Sequence, residues 1–294
     1  MLKAGREIRA TQQQGKNSPL RKRFWKDVHV KQVPEGYNVL LDSRPVRAPT
    51  KAVLTIPTSK AHLAYAIALE WDLLVSAQQA LKNHNIPLTS ITSRAQDIIE
   101  QETQGRSKIR EDIIKNLMRY LETDTLLCWP SGRTALHLEK EDQTSESLRQ
   151  IQIRTAKPII TFLTSSLWPG IELRPILDEN SILPAQQPEM TKSVIHGWMS
   201  GLPAYELAAL ERGGLASKSL LVAARLLVEW SEEFKELHSK SEKRFGIEDA
   251  AEACSLEVRW QTGMWGEVED THDLEKEDLK CQLGSITMII SGNK

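Results

Sequence analysis

The chain has 294 residues, of which 40% are hydrophobic and 26% are charged, and its formal net charge is −1. This composition excludes a disordered chain, which would contain fewer hydrophobic residues. The near-zero net charge disfavours non-specific nucleic-acid binding, which requires a basic surface. No segment approaches the roughly 20 consecutive apolar residues of a transmembrane helix. We therefore expect a soluble protein without stable membrane insertion.

The charges are distributed unevenly along the chain. Residues 1–60 contain thirteen Lys/Arg and four Asp/Glu, a balance of +9, whereas residues 240–294 contain seven and twelve, a balance of −5. Two solvated surfaces or charge-complementary docking would both account for this pattern. Residues 1–22 form a basic segment that we predict to be flexible, either a mitochondrial presequence remnant or a tail. The three cysteines are far apart and lack CxxC spacing, which favours a reducing compartment over disulfides or a zinc site.

The first predicted elements are strands. Short apolar alternations separated by Pro, Gly and Ser predict a small antiparallel meander in residues 24–57. A helix follows Pro57, and the spacing of Leu63, Ile67 and Trp71 predicts that one of its faces packs on the sheet. These elements indicate an N-terminal α+β domain over residues 23–90.

From residue 88 onward the apolar periodicity is helical. We expect a helix over residues 147–168 that is kinked by Pro158, and two helices, 203–212 and 217–238, that are separated by Gly213-Gly214. Short strands are allowed near 126–129, 171–176 and 285–290. The predicted fold class is α+β, with a small antiparallel β-sheet domain and a packed helix, followed by a mostly α-helical domain over residues 91–294.

The sequence contains no recognisable catalytic or cofactor motif. Glycine-rich phosphate loops, HExxH and GxSxG are absent, which disfavours a nucleotide-binding regulator, and no cofactor or metal is predicted. The densest polar group comprises Glu267, Glu269, Asp270 and His272. Such a group would serve a metal-dependent hydrolase, which is the alternative function. A solvated loop that caps the following helix is the favoured interpretation of this group.

Glu257 is a further candidate. It lies one helical turn after Ala253 and Cys254 and one turn before Trp260, on a face that otherwise looks apolar. A carboxylate there should be partly desolvated and would need a partner. That partner is either an internal cation or amide, or a cation on another protein.

An ordered set of motifs resembles the mitochondrial F1-ATPase assembly chaperones dedicated to the alpha subunit. The motifs are RFWK from Arg23, LDSRPV from Leu41, LAYAIALEWD from Leu63, PLT from Pro87, YLETD from Tyr120, LPAYEL from Leu202, LEVRWQ from Leu256 and Trp265-Gly266. Each motif alone is weak, but their order and spacing over residues 23–285 are specific.

The resemblance implies a non-enzymatic chaperone of the mitochondrial matrix. Its expected partner is the unassembled F1 alpha subunit, whose aggregation it would prevent during ATP synthase assembly, and the free chaperone is expected to be monomeric. The functionally important acidic position of the family falls on Glu257 and its EWD motif on Glu70-Trp71-Asp72. Because tryptophan is enriched among interface anchors, Trp260 and Trp265 complete the predicted partner-binding set.

Overall fold

In a computed structural model of the protein, the described residues are 22–130, 146–177, 184–239, 243–266 and 272–292. They divide into two compact units, Met1–Ile99 with Ser291–Lys294 (unit 1) and Glu100–Ile290 (unit 2). The boundary between the units falls within one helix, α2 (Pro87–Thr103). The predicted boundary at residue 90 lies in the same helix, and the division into independently folding domains stays a prediction.

Unit 1 contains a small antiparallel sheet. Its strands are β1 (Val28–Val33), β2 (Gly36–Leu41), β3 (Arg44–Pro45) and β4 (Thr55–Ile56). β2 is the shared strand, because it pairs with β1, β3 and β4. The predicted small antiparallel sheet in residues 24–57 is confirmed, but β4 pairs with β2 instead of β3, so the strand order is not that of a simple meander.

Tight turns fix the register of this sheet. Val33 pairs with Gly36 across a two-residue turn, and a Cβ on Gly36 would lie 2.0 Å from the carbonyl oxygen of Ile56. Only glycine fits this approach, which explains the glycine at the start of β2. Asp42, at φ 54°, turns the chain from β2 into β3. Its carboxylate accepts hydrogen bonds from the N–H groups of Lys26 and Asp27 at 3.0 and 2.9 Å.

Helix α1 (Ala61–Leu73) covers one face of the sheet. Its buried side is made by Leu63, Ala64 and Ile67, which are fully inaccessible to solvent. These residues follow the helical spacing seen in the sequence, and they cover the apolar residues of β2 and β4. The sheet with its packed helix is therefore formed as predicted.

The regular elements in the described part of unit 2 are helices. Its helices after α2 are α3 (Lys108–Glu122), α4 (Leu148–Phe162), α5 (Glu189–Ser200), α6 (Ala204–Ser217), α7 (Leu220–Trp230), α8 (Ile247–Trp265) and α9 (His272–Ile290). Helix α7 lies at the centre, since α3, α4, α6, α8 and α9 all pack against it. All residues from Leu220 to Glu229 are buried, as expected for a helix without a solvent face.

The Gly213-Gly214 pair does not end a helix, which corrects the prediction. Helix α6 continues through both residues to Ser217. A Cβ on Gly213 would lie 2.9 Å from the Cβ of Ala223 and 3.0 Å from Cδ1 of Ile286. A Cβ on Gly214 would lie 2.7 Å from Cδ2 of Leu117. The glycines therefore allow close helix packing, and local sequence alone does not distinguish this use from a turn.

Two other predicted helices are interrupted. Helix α4 contains Pro158 and passes at Leu163 into a π-helical turn that ends at Leu167. The predicted helix 217–238 stops at Trp230 because the Ser231 hydroxyl caps a following 3₁₀ segment, Glu232–Leu237. The first interruption lies beyond Pro158, through which α4 continues as an α-helix to Phe162, and the second has a local cause in the side-chain cap.

The end of the chain is helical, which corrects the strand allowed near 285–290. Leu283, Ile286, Ile289 and Ile290 are buried at helical spacing on α9, which packs along α6. Residues 126–129 and 171–176 form no strand either, and Thr125–Leu127 is a 3₁₀ turn. Among the helices of the described residues, none is long and apolar enough to cross a membrane.

Candidate functional site

The Glu70-Trp71-Asp72 motif lies in the last turn of α1, where each side chain has a partner within unit 1. The Glu70 carboxylate accepts hydrogen bonds from the N–H of Leu88 at 2.8 Å and from the N–H of Thr89 at 3.0 Å. It also accepts one from the Thr89 hydroxyl at 2.6 Å. Because the first N–H groups of a helix have no intrahelical acceptor, Glu70 caps the N-terminus of α2 from a neighbouring helix.

Burial raises the pKa of Glu70 to about 7, and the three hydrogen bonds from Thr89 and Leu88 oppose that rise. The positive end of the α2 dipole also favours the charged form. The carboxylate is therefore held inside the unit at a desolvation cost, which its hydrogen bonds partly offset.

Trp71 joins the same network. Its indole Nε1 donates to the Thr89 hydroxyl at 2.9 Å, and its ring lies 5.5 Å from that of Trp25 in an edge-to-face arrangement. Trp25 is 2% exposed. Edge-to-face aromatic pairs stabilise a fold beyond the effect of the apolar area that they bury. The two indoles therefore stabilise this end of the unit 1 core.

Asp72 pairs with Arg23 at 3.6 Å and is buried. The Arg23 guanidinium also donates to the carbonyl oxygens of Asp72 at 2.9 Å and Leu74 at 3.2 Å. The last carbonyl oxygens of a helix have no intrahelical N–H donor, so Arg23 caps the C-terminus of α1 by donating to two of them. The motif thus joins the chain before β1, α1 and α2, and its predicted partner-binding role stays a prediction.

Glu257 has a different environment. It lies on the exposed side of α8, and its carboxylate accepts a hydrogen bond from Nε2 of Gln261 at 3.3 Å. The expected desolvation is wrong, because the buried side of α8 is confined to its first turns, where Ala250, Ala251 and Ala253 lie. The next turns face solvent, and the carboxylate is therefore accessible to another molecule.

The remaining predicted residues follow Glu257 along the chain. Trp260 is half-buried on α8, and Trp265 is the last residue of that helix, with its side chain outside the described part. Glu267, Glu269 and Asp270 lie outside the described residues, and so does the side chain of His272, the first residue of α9. In the part of the chain that is described, no group of three or more His, Cys, Asp or Glu is arranged to hold a metal ion.

The structure places the two predicted groups in different units. Glu70, Trp71 and Asp72 belong to unit 1, whereas Glu257 and Trp260 belong to unit 2. The group in unit 1 is part of an internal hydrogen-bonded network, whereas the carboxylate on the described part of α8 is exposed to solvent.

The comparison with known proteins identifies the family. The ATP12 chaperone protein family matches residues 22–164. The chain is 31% identical over 271 residues to mitochondrial protein atp12 of Schizosaccharomyces pombe, covering 92% of this chain and 82% of that protein. It is 32% identical over 274 residues to mitochondrial protein ATP12 of Saccharomyces cerevisiae, covering 89% and 81%. The chain belongs to the ATP12 chaperone family.

Solved structures of this kind share the fold. Atp12 from Paracoccus denitrificans superposes with a TM-score of 0.61 at 22% identity, covering 92% of this chain and 97% of that one. A protein from Agrobacterium tumefaciens gives a TM-score of 0.63 at 22% identity, covering 92% and 85%. The family membership confirms the prediction of a chaperone rather than an enzyme, and its two fungal relatives are mitochondrial proteins.

Asp124 is a residue whose role sequence reasoning missed. It is inaccessible to solvent, and its carboxylate accepts hydrogen bonds from the N–H groups of Leu126 and Leu221, each at 3.0 Å. It therefore joins a 3₁₀ turn to the N-terminus of α7. Burial raises the pKa of Asp124 to about 6, against hydrogen bonds from Ser219 and backbone N–H groups. The signal was present in the YLETD motif, whose final residue is Asp124.

A buried charge cluster in unit 2 was also missed. Arg225 pairs with Glu229 at 2.7 Å, and Arg244 pairs with the same carboxylate at 3.1 Å. The Arg225 guanidinium lies 3.8 Å from the centre of the Phe162 ring. The available signal was the i, i+4 spacing of Arg225 and Glu229 within an apolar run. The buried charges of this cluster are paired with one another inside the helical core. We therefore look for partner-binding residues on the protein surface and not in this cluster.

Proposed function

We propose that this protein binds the unassembled alpha subunit of mitochondrial F1-ATPase in the matrix, prevents its aggregation and promotes F1 assembly. The observation that carries the proposal is membership of the ATP12 chaperone family, with fungal mitochondrial relatives that align over about nine tenths of the chain. The motifs that resemble alpha-subunit chaperones support the finer assignment. We also propose that the free protein is a monomer.

Binding alone is sufficient for this activity. Subunits of a ring expose apolar interfaces before assembly, and such surfaces aggregate. A chaperone that covers the surface is displaced when the proper neighbour binds more tightly, because the difference in binding free energy sets the direction of exchange. The sequence carries no glycine-rich phosphate loop, which is consistent with release that does not depend on nucleotide hydrolysis by the chaperone.

The exposed side of α8 supports Glu257 as a partner-binding residue. Its carboxylate faces solvent beside Val258, an apolar residue that is 43% exposed. Arg259 on the same helix is already paired with Glu252 at 3.0 Å. A carboxylate next to an exposed apolar side chain suits a partner surface that combines a cation with apolar groups.

The test is an aggregation and exchange assay. Purified protein is mixed with unassembled alpha subunit, light scattering is followed, and beta subunit is then added. Suppressed scattering, followed by release of the chaperone and formation of alpha–beta assemblies, is expected. Preferential binding to beta, or equal protection of an unrelated aggregating protein, would show that the assignment is wrong.

A further inference from the structure

Helix α8 is attached to the end of α7 by the residues that precede it, Arg244, Phe245 and Gly246. The Arg244 side chain pairs with the Glu229 carboxylate at 3.1 Å and donates a hydrogen bond to the Glu229 carbonyl oxygen. Its guanidinium carbon also lies 4.5 Å from the centre of the Trp230 ring. Arg244 therefore reaches the last turn of α7 through an ion pair, a hydrogen bond and a cation–π contact.

The next two residues fix the first turn of α8. The carbonyl oxygen of Phe245 accepts a hydrogen bond from Nε1 of Trp230 at 2.8 Å, and the centre of its ring lies 4.9 Å from the Arg225 guanidinium carbon. The N–H of Gly246 then donates to the Asp249 carboxylate at 2.9 Å, which caps the helix. The start of α8 is thus held to α7 by contacts made before the helix begins.

Charge balance does not account for Arg244. Glu229 is inaccessible to solvent, and its carboxylate is already paired with Arg225 at 2.7 Å. It also accepts a hydrogen bond from the N–H of Ser239 at 3.1 Å. Because one buried cation is enough to neutralise one buried carboxylate, the second arginine requires a separate explanation. What Arg244 adds is the attachment of the residues before α8 to a fixed, charged acceptor.

The remainder of α8 has only a short buried side. Ala250, Ala251 and Ala253 are buried and span less than one helical turn. Among the side chains of α8 that the structure describes, none after Ala253 is buried, and Glu257 follows one turn later. A short contact through alanine methyl groups acts as a pivot, whereas a second fixed point determines the direction of a rigid helix. The attachment through Arg244 supplies that second point.

We propose that Arg244 is a positioning residue, which sets the direction of α8 and therefore the place where Glu257 is presented to the unassembled alpha subunit. The proposal rests on the proposed function and on the binding role proposed there for Glu257. It requires no contact between Arg244 and the partner, since Glu229 and Trp230 already engage the guanidinium. A misdirected α8 would have to be reoriented on binding, and the affinity would fall by the free energy of that step.

The test is a double-mutant cycle between Arg244→Met and Glu257→Gln. The matched control is Arg110→Met on α3, because Arg110 also pairs with a carboxylate, that of Glu102 at 2.6 Å, and donates to two backbone carbonyl oxygens. Urea unfolding defines conditions in which every variant is folded. The Kd for unassembled alpha subunit is then measured by titration under those conditions.

Arg244→Met is expected to bind alpha subunit about threefold to tenfold more weakly, within the range for residues that modulate binding without touching the ligand. The control should stay within about twofold of the wild type. In the Glu257→Gln background, Arg244→Met should weaken binding by less than about a further twofold, because the charge that it positions has been removed. Arg244→Lys keeps the charge but not the planar fork, and its affinity should lie between those of Arg244→Met and the wild type.

Three results would overturn the proposal. They are an unchanged Kd in Arg244→Met, an equal loss in Arg110→Met, and a loss that persists undiminished in the Glu257→Gln background. The second and third would make the effect of Arg244 a general consequence of lower stability. If Arg244→Met does not fold, Arg244→Lys takes its place in the cycle with the same criteria.

Failure of the proposed function gives a different pattern. If the wild type does not bind alpha subunit, the proposed function is wrong and the positioning role is wrong with it. If the wild type binds and Glu257→Gln binds equally tightly, the role of Glu257 is wrong, and Arg244 has no binding group to position. If Glu257→Gln binds more weakly while Arg244→Met binds like the wild type, only the positioning role is wrong.

Discussion

Removal of the Glu70 carboxylate tests whether the EWD motif serves folding or partner binding. The carboxylate accepts hydrogen bonds from the N–H groups of Leu88 and Thr89 at 2.8 and 3.0 Å and from the Thr89 hydroxyl at 2.6 Å. In Glu70→Ala the first turn of α2 loses its cap and Thr89 loses its acceptor. Water reaches the half-buried site only in part, so these donors are left incompletely satisfied.

The magnitude follows from two opposed effects. Loss of an N-cap costs about 0.5–2 kcal/mol, and loss of a hydrogen bond to a charged group costs about 1.5–3 kcal/mol. The variant also removes a desolvated carboxylate, whose cost is visible in a pKa raised by burial to about 7. We therefore expect Glu70→Ala to lower the free energy of unfolding by about 2 kcal/mol rather than by the sum of the separate losses.

The assay is urea unfolding followed by tryptophan fluorescence, since Trp71 and Trp25 adjoin the site. Thr89→Val is the matched control, because it keeps the Glu70 carboxylate and its two backbone hydrogen bonds but removes the hydroxyl that bridges to Trp71. A loss of about 1 kcal/mol is expected for this control. The affinity of folded Glu70→Ala for alpha subunit should stay within about twofold of wild type.

The opposite pattern would refute this reasoning. If Glu70→Ala unfolds at the wild-type urea concentration and yet loses alpha-subunit binding, the carboxylate contacts the partner. The hydrogen bonds to α2 would then be a secondary feature of the free protein.

Three further predictions concern unit 2. Because burial raises the pKa of Asp124 from 3.8 to about 6, this group stabilises the fold most at low pH and its contribution falls as the pH rises. The stability of wild type relative to Asp124→Asn should therefore decrease by up to about 3 kcal/mol between about pH 4 and pH 7 in urea titrations, and a constant difference would contradict it. Glu257→Gln should melt within a few degrees of wild type while it weakens alpha-subunit binding, with the exposed Glu275→Gln as control, and equal affinities would exclude the role proposed for Glu257. Gly213→Ala should lower the free energy of unfolding by about 1–2 kcal/mol, as measured by calorimetry. The added Cβ would meet the Cβ of an alanine, which the backbone holds in place, as well as the end of an isoleucine side chain. Gly214→Ala should lose less, since its Cβ meets only the end of a flexible leucine, and the reverse order would show that the α6 contacts are misassigned.

The N-terminal sheet was predictable because its determinants are local. Strand alternation, two-residue turns and a helix with a fixed apolar face all depend on neighbours within a few residues. Gly36 was recognisable as a turn residue, although its close approach to the Ile56 carbonyl was not. Helical periodicity located most of unit 2 for the same reason.

The errors occurred where distant residues decide the structure. Ser285–Ile290 has strand-like composition, but α9 remains helical because its isoleucines pack along α6. Gly213-Gly214 has turn-like composition, but it lies inside α6 where other helices approach closely. In each case tertiary packing outweighed a small local preference.

The residue types needed for the candidate site were readable from the sequence, whereas their environments were not. Sequence alone determined the family resemblance and the absence of a recognisable catalytic motif, and it singled out Glu70, Trp71, Asp72 and Glu257 as candidate partner-binding residues. Tertiary structure decided that Glu70 caps another helix and that Glu257 faces solvent. The physical reason is that solvent exposure depends on which distant segments cover a residue, and helical spacing specifies a face without specifying what lies against it.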